Sequence, residues 1–166
     1  MMAAVITKYV KESQVYTTEL VLPNDTNQLG NLLGGRLMHW IDISAAIAAQ
    51  RHSGRVCVTA SVDELNFHHP IKLGEVVTLH ASVNRAFRTS MEVGVLVLAA
   101  SLKGTLSRRA NNAYLTFVAI DDKGKPVKVP PIHPETEEEM RRYEEALERR
   151  RLRLERRQPA QEKGTP

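Results

Sequence analysis

One helical segment in an otherwise β-rich chain most constrains how this sequence can fold. Residues 36–50 contain no glycine or proline, and their apolar positions recur at helical spacing, which predicts a helix of roughly four to five turns. These positions are Leu37, Ile41, Ala45 and Ala48. The second half of the segment consists almost entirely of small side chains, which allow a helix backbone to approach a sheet or another helix closely. The rest of the chain must therefore supply a surface that covers this helix.

Five β-rich segments can form that surface. They share alternating or strongly apolar patterns bounded by turn residues, and they span residues 15–22, 56–67, 75–87, 91–102 and 108–120. The order strand, long helix, four strands and terminal helix predicts an α+β fold, in which one long central helix is wrapped by a five-stranded, mostly antiparallel sheet. Such a sheet leaves an edge strand open, and pairing across a two-fold axis would cover it, so we expect a dimer.

Composition changes divide the chain into five predicted parts. Residues 1–13 form an N-terminal extension, 14–125 the α+β domain, 126–134 a proline-rich linker, 135–158 a charged helix and 159–166 a disordered tail. In the charged helix glutamates come first and arginines last, as the helix dipole favours, so we interpret it as a solvated, ion-paired helix. The net charge of +4 is compatible with a small anionic ligand. No aromatic residues interleave the arginines to stack bases, which argues against nucleic-acid binding.

Cysteine content and hydropathy indicate the compartment. Cys57 is the single cysteine, which suits a reducing environment. No apolar run approaches the roughly 20 residues of a membrane span, and no secretory signal is recognisable. We therefore predict a cytoplasmic protein, or one from an organelle matrix if a transit peptide has been removed. The histidines and Cys57 show no metal-ligand spacing, so no metal or other cofactor is expected.

Three features between residues 23 and 50 suggest chemistry. Gly34 and Gly35 stand where the helix begins, so free backbone amides there could hold a developing oxyanion, although the glycines could also serve only a tight turn. Asp42 lies among apolar neighbours on the helix. It could act as a general base, or it could be a structural carboxylate that is exposed or capped by a hydrogen bond. Asn27 precedes Asp42 by 15 residues in an irregular loop, where it could orient a water, donate to an oxyanion or simply form a turn.

Helix geometry separates two of these candidates. Gly35 and Asp42 are seven residues apart and lie on one helix face, with an axial rise of roughly 10 Å between them. That is too far for the Gly35 amide and the Asp42 carboxylate of one chain to serve the same atom. Antiparallel helices of two subunits would bring the start of one near the middle of the other. We therefore predict composite sites at a dimer interface.

The segment at residues 23–42, PNDTNQLGNLLGGRLMHWID, resembles acyl-CoA hydrolases of the brain-type and bacterial cytosolic group, which have the hotdog fold. Supporting similarity comes from SVDELNFHHPIKLGE at 61–75, RTSMEV at 88–93 and FVAID at 117–121, and the resemblance spans residues 16–157. It implies an active site formed by Asn27 and Asp42 from facing protomers, and assembly as a trimer of hotdog dimers. The implied reaction is hydrolysis of a fatty acyl-CoA thioester, with CoA as product.

The resemblance also implies roles for individual residues. The thioester oxygen would point at the Gly35 amide, helped by Asn27, while Asp42 would act as general base on water or attack directly to form an anhydride. CoA carries phosphates, so substrate-binding positions are expected to include Gly34, Arg88, Thr89, Ser90 and Arg109, with Arg108 as a further cation. Each of these arginines could equally be an ordinary surface residue.

Three other functions remain compatible with the sequence. The chain could be a hotdog enzyme for another thioester, such as an acyl carrier protein or an aryl-CoA. It could be a non-catalytic acyl-CoA sensor, against which the intact pair of Asn27 and Asp42 argues. Nucleic-acid binding is suggested by charge alone.

Overall fold

The structure, a computed structural model, describes residues 6–104 and 106–161. Its regular elements, in chain order, are β1 (Lys8–Tyr9), α1 (Val10–Ser13), β2 (Val15–Leu20), a 3-10 turn (Pro23–Asp25), α2 (Gly34–Ser53), β3 (Val56–Phe67), β4 (Glu75–Ala86), β5 (Ser90–Ser101), β6 (Arg108–Ile120), β7 (Ile132–His133) and α3 (Glu137–Gln161). Across the described residues, none of the helices combines the length and apolar composition needed to span a membrane.

The main sheet has five strands in the order β2-β4-β5-β6-β3, and every neighbouring pair is antiparallel. The α+β class, the five strands and both long helices are thus confirmed. β3 is an edge strand although it is 12 residues long, because β6 is its only partner among the described residues. One side of β3 is therefore open.

Helix α2 is buried against the sheet through its small and apolar side chains. Ala45, Ala48 and Ala49 are fully buried, and Leu37 and Ile41 are almost so. The absence of bulky groups at the alanines lets the helix backbone approach the strands closely. The helix ends at Gly54, whose φ of 65° closes the last turn with an amide bond to the Gln50 carbonyl at 2.8 Å.

The segments on either side of the predicted domain also pack onto it. Val10 belongs to the core, and the Ser13 hydroxyl accepts a hydrogen bond from the Val83 amide at 2.9 Å. β1 pairs in parallel with β7, in which Ile132 is buried. α3 continues to Gln161, beyond the predicted helix end at 158. Residues 1–5 of the predicted extension and 162–166 of the predicted tail lie outside the described residues, and the proposed boundaries stay predictions.

One face of α3 is docked on the sheet, so the interpretation of α3 as a solvated, ion-paired helix is wrong for that face. Arg149 forms an ion pair with Glu92 at 2.8 Å, and Glu92 is only 1% exposed. Asn84 donates a further hydrogen bond to Glu92 at 2.9 Å, and the Arg149 guanidinium lies 3.7 Å from the centre of the Tyr114 ring. The acceptor for Arg149 lies 57 residues away in sequence, so local charge pattern could not reveal it.

A second anchor lies one turn further along α3. Arg153 donates to Asp63 and to Thr116, both at 2.7 Å, and its side chain is only 13% exposed. The opposite face of the helix does match the solvated interpretation. There Arg151 pairs with Glu148 and Glu155 on the same helix, and all three side chains are more than half exposed.

Replacing Arg149 with alanine should destabilise the fold strongly. The carboxylate of Glu92 would remain buried without its cation, which costs about 3 kcal/mol or more in the free energy of unfolding. Arg151→Ala is the matched control, because it removes an equally well-paired arginine from the solvated face and should change stability little. Urea unfolding of the two variants measures the difference. Equal losses of stability would contradict the docking of α3 through Arg149.

His52 ties the end of α2 to the proline-rich segment. Its ring is fully buried, and Nε2 lies 2.8 Å from the Pro130 carbonyl, to which it donates when it carries the proton. Nδ1 has no hydrogen-bond partner among the described residues. Burial disfavours the imidazolium, so the pKa of His52 lies below its usual value of 6.5, although the bond to Pro130 acts in the opposite direction.

This lowered pKa predicts loss of stability in mild acid. An unfolded chain takes up a proton at His52 near pH 6.5, whereas the folded chain resists it until lower pH, so stability declines as pH falls below 6.5. His52→Gln keeps an N–H donor for Pro130 but does not titrate. Urea midpoints of wild type and variant at pH 7.5 and 5.5 should show a larger acid-induced loss in wild type. Identical losses would show that His52 does not contribute.

Candidate functional site

The first residues of α2 present unpaired amides. Gly34 and Gly35 open the helix, and the preceding residue, Leu33, has no polar side chain to cap it. The Leu37 amide donates to the Leu33 carbonyl at 3.1 Å and closes the first turn of the helix. The Gly34 and Gly35 amides donate to no atom of the described residues, and both glycines are exposed. A methyl group on Gly35 would meet nothing within 4 Å. An oxygen with partial negative charge can therefore approach this helix start closely.

Asn27 organises the loop before α2. Its Oδ1 accepts hydrogen bonds from the amides of Leu29 at 2.9 Å and Asn31 at 3.2 Å. The loop is attached to the segment after β3, because Leu32 donates to the Ile71 carbonyl at 2.7 Å. With Oδ1 occupied, the exposed Nδ2 of Asn27 has no partner among the described residues. The turn-forming role and a donor role are thus compatible in one side chain.

Asp42 is half-buried on α2, and its carboxylate is held by a residue that sequence analysis missed. The Thr59 hydroxyl donates to Asp42 Oδ1 at 2.7 Å. Thr59 is exposed on the edge strand β3 and lies 17 residues from Asp42, so no local motif marked it. The hydroxyl fixes one carboxylate oxygen and leaves the other available.

A single chain keeps the two ends of the candidate site apart. Asp42 contacts β3 near its beginning, through Thr59, whereas Gly34 faces the last residue of that strand, Phe67. The ring of Phe67 lies 3.4 Å from the position that a Cβ on Gly34 would occupy. Large apolar side chains are exposed along the same strand, namely Val56, Val58, Val62 and Phe67. The edge of β3 thus has the apolar character of a contact surface.

The predicted substrate-binding residues fall into two groups. Arg88 and Thr89 lie in the turn from β4 to β5, and Ser90 is the first residue of β5. Ser90 of β5 pairs with Val118 of β6, and Val118 pairs with Val58 of β3. The start of β5 therefore lies two strands from Thr59. Arg88 is exposed and makes no ion pair among the described residues.

The arginines at the start of β6 lie elsewhere. Arg109 lines a shallow depression with Asn112 and Tyr114 beside α3, so the structure does not bring it to Asp42. Arg108 forms a forked pair with Glu75 at 2.8 and 2.9 Å and donates to the Pro70 carbonyl, which gives it a structural role. Among the described residues, no three His, Cys, Asp or Glu side chains are grouped as a metal site would need.

Comparison with known proteins identifies the family. The model of the thioesterase superfamily matches residues 29–104. An uncharacterised acyl-CoA thioester hydrolase of Bacillus subtilis is 43% identical over 155 residues, which cover 93% of this chain and 90% of that protein. The chain belongs to the thioesterase superfamily.

Other members of the superfamily agree in sequence and structure. Mouse acyl-coenzyme A thioesterase 11 is 44% identical over 146 residues, and the chain spans 24% of its length. An acyl-CoA hydrolase of Staphylococcus aureus, solved with butyryl-CoA, CoA and CoA disulfide, is 39% identical with a TM-score of 0.89 over 95% of this chain and 96% of that one. A hexameric acyl-CoA thioesterase has 41% identity and a TM-score of 0.87 over 91% and 97%. The hotdog fold expected from the resemblance is confirmed.

Proposed function

We propose that this member of the thioesterase superfamily hydrolyses fatty acyl-CoA to a free fatty acid and CoA. The observation that carries the proposal is a carboxylate, Asp42, fixed by Thr59 on a helix whose uncapped start exposes the Gly35 amide. A base and an oxyanion-binding amide are the two groups that thioester hydrolysis needs. The names of the relatives and the CoA ligands of the S. aureus neighbour support this chemistry.

The residue types also support the site. The S. aureus hydrolase has been solved as variants in which an aspartate, a threonine and an asparagine are each replaced by alanine. Asp42, Thr59 and Asn27 are the same three residue types.

The proposed site is shared by two chains. β3 has a free edge, and antiparallel pairing with a second β3 would be centred near Asp63, the midpoint between Thr59 and Phe67. Thr59 of one chain would then lie beside Phe67 of the other. Asp42 of one protomer would face Gly35 and Asn27 of its partner, so each dimer would contain two sites. Since a structural neighbour is hexameric, we expect three such dimers to assemble.

The proposed reaction begins when the thioester carbonyl oxygen accepts a hydrogen bond from the Gly35 amide, helped by Asn27 Nδ2. Asp42 removes a proton from water as the water oxygen bonds to the carbonyl carbon. The oxyanion is stabilised by the helix start, the C–S bond then breaks, and the leaving thiolate takes the proton from Asp42. Direct attack by Asp42 to form an anhydride is the alternative route. Arg88 is exposed, forms no ion pair within the described part of the chain and could bind the CoA phosphates. No step uses a metal or organic cofactor.

Asp42→Ala and Asn27→Ala should each lower kcat/KM for acyl-CoA by roughly 100-fold or more, because each removes a group from the reacting centre. Release of free CoA thiol measures this. If the site is shared, mixing the two inactive variants under conditions of subunit exchange should restore about a quarter of wild-type activity, since half of the dimers are hybrids with one intact site each.

The matched control is a mixture of Asp42→Ala with Asp42→Asn, in which no hybrid site contains the carboxylate. Restoration only in the first mixture supports the shared site. No restoration in either mixture, with subunit exchange demonstrated, would contradict it. Binding of acyl-CoA by wild type without thiol release would instead indicate a sensor or an enzyme for another thioester.

Gly35→Ala should lower activity without lowering stability. The added methyl group meets no atom of its own chain within 4 Å, and alanine favours the helix, but the methyl occupies space that the thioester oxygen must enter. We expect roughly a tenfold or greater loss of kcat/KM. Gly54→Ala is the control, because its φ of 65° disfavours alanine far from the site. It should lower the melting temperature and leave turnover unchanged, the reverse of Gly35→Ala.

A further inference from the structure

Helix α3 crosses the sheet on the face opposite α2. Arg153 of α3 donates a hydrogen bond to Thr116 of β6. The next residue of β6, Phe117, pairs with Thr59, whose side chain contacts Asp42 of α2. Successive residues of a strand point to opposite faces, so α2 and α3 lie on opposite sides of the sheet.

The contacts of α3 follow one line across the strands. The centre of the Tyr143 ring lies 3.9 Å from the Arg85 guanidinium of β4, Arg149 binds β5, and Arg153 binds Asp63 of β3. The helical rise from Tyr143 to Arg153 is about 15 Å. β3 is three strands from β4, which corresponds to about 14 Å. The helix therefore runs nearly perpendicular to the strands and reaches the open edge of the sheet at Arg153.

The end of α3 extends beyond that edge. The helix continues to Gln161, so residues 154–161 add about 12 Å to its length. At a strand spacing of about 4.8 Å, this length covers roughly two further strands. In the proposed dimer those strands belong to the other chain.

A groove separates the end of α3 from β3 at the same edge. Its volume is about 400 Å³. Its walls include Ser61, Val62 and Asp63 of β3 with Leu152, Arg153 and Arg156 of α3. Val62 and Leu152 are 43% and 38% exposed, and Arg156 forms no ion pair within the described part of the chain. The groove thus has apolar and basic walls that its own chain leaves uncovered.

We infer that the other chain of the dimer fills this groove, with the two α3 helices antiparallel and side by side over the two-fold axis. The inference rests on the β3 pairing of the proposed function and extends that interface to the sheet face opposite the reacting groups. The groove is continuous with the paired edge, because three of its wall residues belong to β3 itself.

Symmetry determines which residues meet. The axis lies half a strand spacing beyond β3, about 2.4 Å, so residue 155 of the helix is close to it. A two-fold axis reverses direction, so α3 of the second chain arrives from the opposite side, and the two overhanging ends fit only beside each other. Leu152 and Arg156, which line the groove, then face the other helix. Arg156 lies beside Glu155 of the other chain, a carboxylate that is more than half exposed in the single chain.

Cross-linking tests this arrangement. Cys57→Ser removes the single cysteine, and Arg156→Cys then places one thiol in each chain beside the axis. A short bismaleimide should join the two chains of the dimer at this position. Glu144→Cys is the control, because this exposed residue of the same helix lies about 16 Å from the axis and its two copies are too far apart to be joined within the dimer.

Val62→Cys in the same background reports the pairing of β3 independently, since Val62 lies next to the centre of the strand. Cross-linking at Val62 but not at Arg156 would overturn the inference and leave the β3 dimer intact. Cross-linking at neither position would overturn both. Cross-linking at both positions, in a protein that releases no CoA thiol from any acyl-CoA, would support the arrangement of α3 and refute only the proposed reaction.

A second pair of variants measures what the contact contributes to assembly. Leu152→Glu should raise the dissociation constant of the dimer roughly tenfold or more, because both copies would bury a carboxylate beside the axis. Leu147→Glu is the matched control, since Leu147 is 49% exposed and lies on the part of α3 that stays over its own sheet. The same change there should alter the dissociation constant less than about twofold. Sedimentation equilibrium over a dilution series measures both, and equal dissociation constants would contradict the contact between the helices.

Discussion

Close packing of α2 against the sheet is the constraint on which the rest of the structure depends. Its alanine face allows the backbone to lie near the strands, and this fixes where both ends of the helix emerge. One end is closed by Gly54 and by the buried ring of His52. The other end has no side-chain cap among the described residues, and it directly follows the loop that Asn27 organises. The same packing thus produces a stable helix whose first turn carries partial positive charge on its backbone amides.

Periodicity in the sequence was sufficient to predict the five long strands and both long helices, but not the short elements β1, α1 and β7. The predicted strand at 56–67 and the one at 108–120 have the observed bounds, because alternation and turn residues are local signals. The helix begins at Gly34 rather than residue 36, since the absence of glycine was used to mark its start. Gly35 and Asp42 could be selected because a glycine at a helix start and a carboxylate among apolar residues are unusual, whereas Asn27 is an ordinary turn residue and was supported mainly by its match to the family motif.

Contacts between distant residues could not be predicted in the same way. The order of glutamates before arginines in α3 suggested a solvated, ion-paired helix, yet Arg149 and Arg153 bind carboxylates on β5 and β3. Thr59 was not singled out from the sequence, because its partner Asp42 becomes visible only when the fold places β3 beside α2. Glu92, a glutamate in the apolar run of β5, is a sequence signal that a buried cation is needed.

The open edge of β3 also has a consequence for the life of the chain before assembly. A newly made protomer carries a 12-residue strand with unpaired backbone groups and exposed valines, which is a template for aggregation. Pairing with a second copy would remove that hazard and complete the chemistry in a single event. Catalytic activity and protection from aggregation would then both depend on protein concentration through the same dimerisation equilibrium.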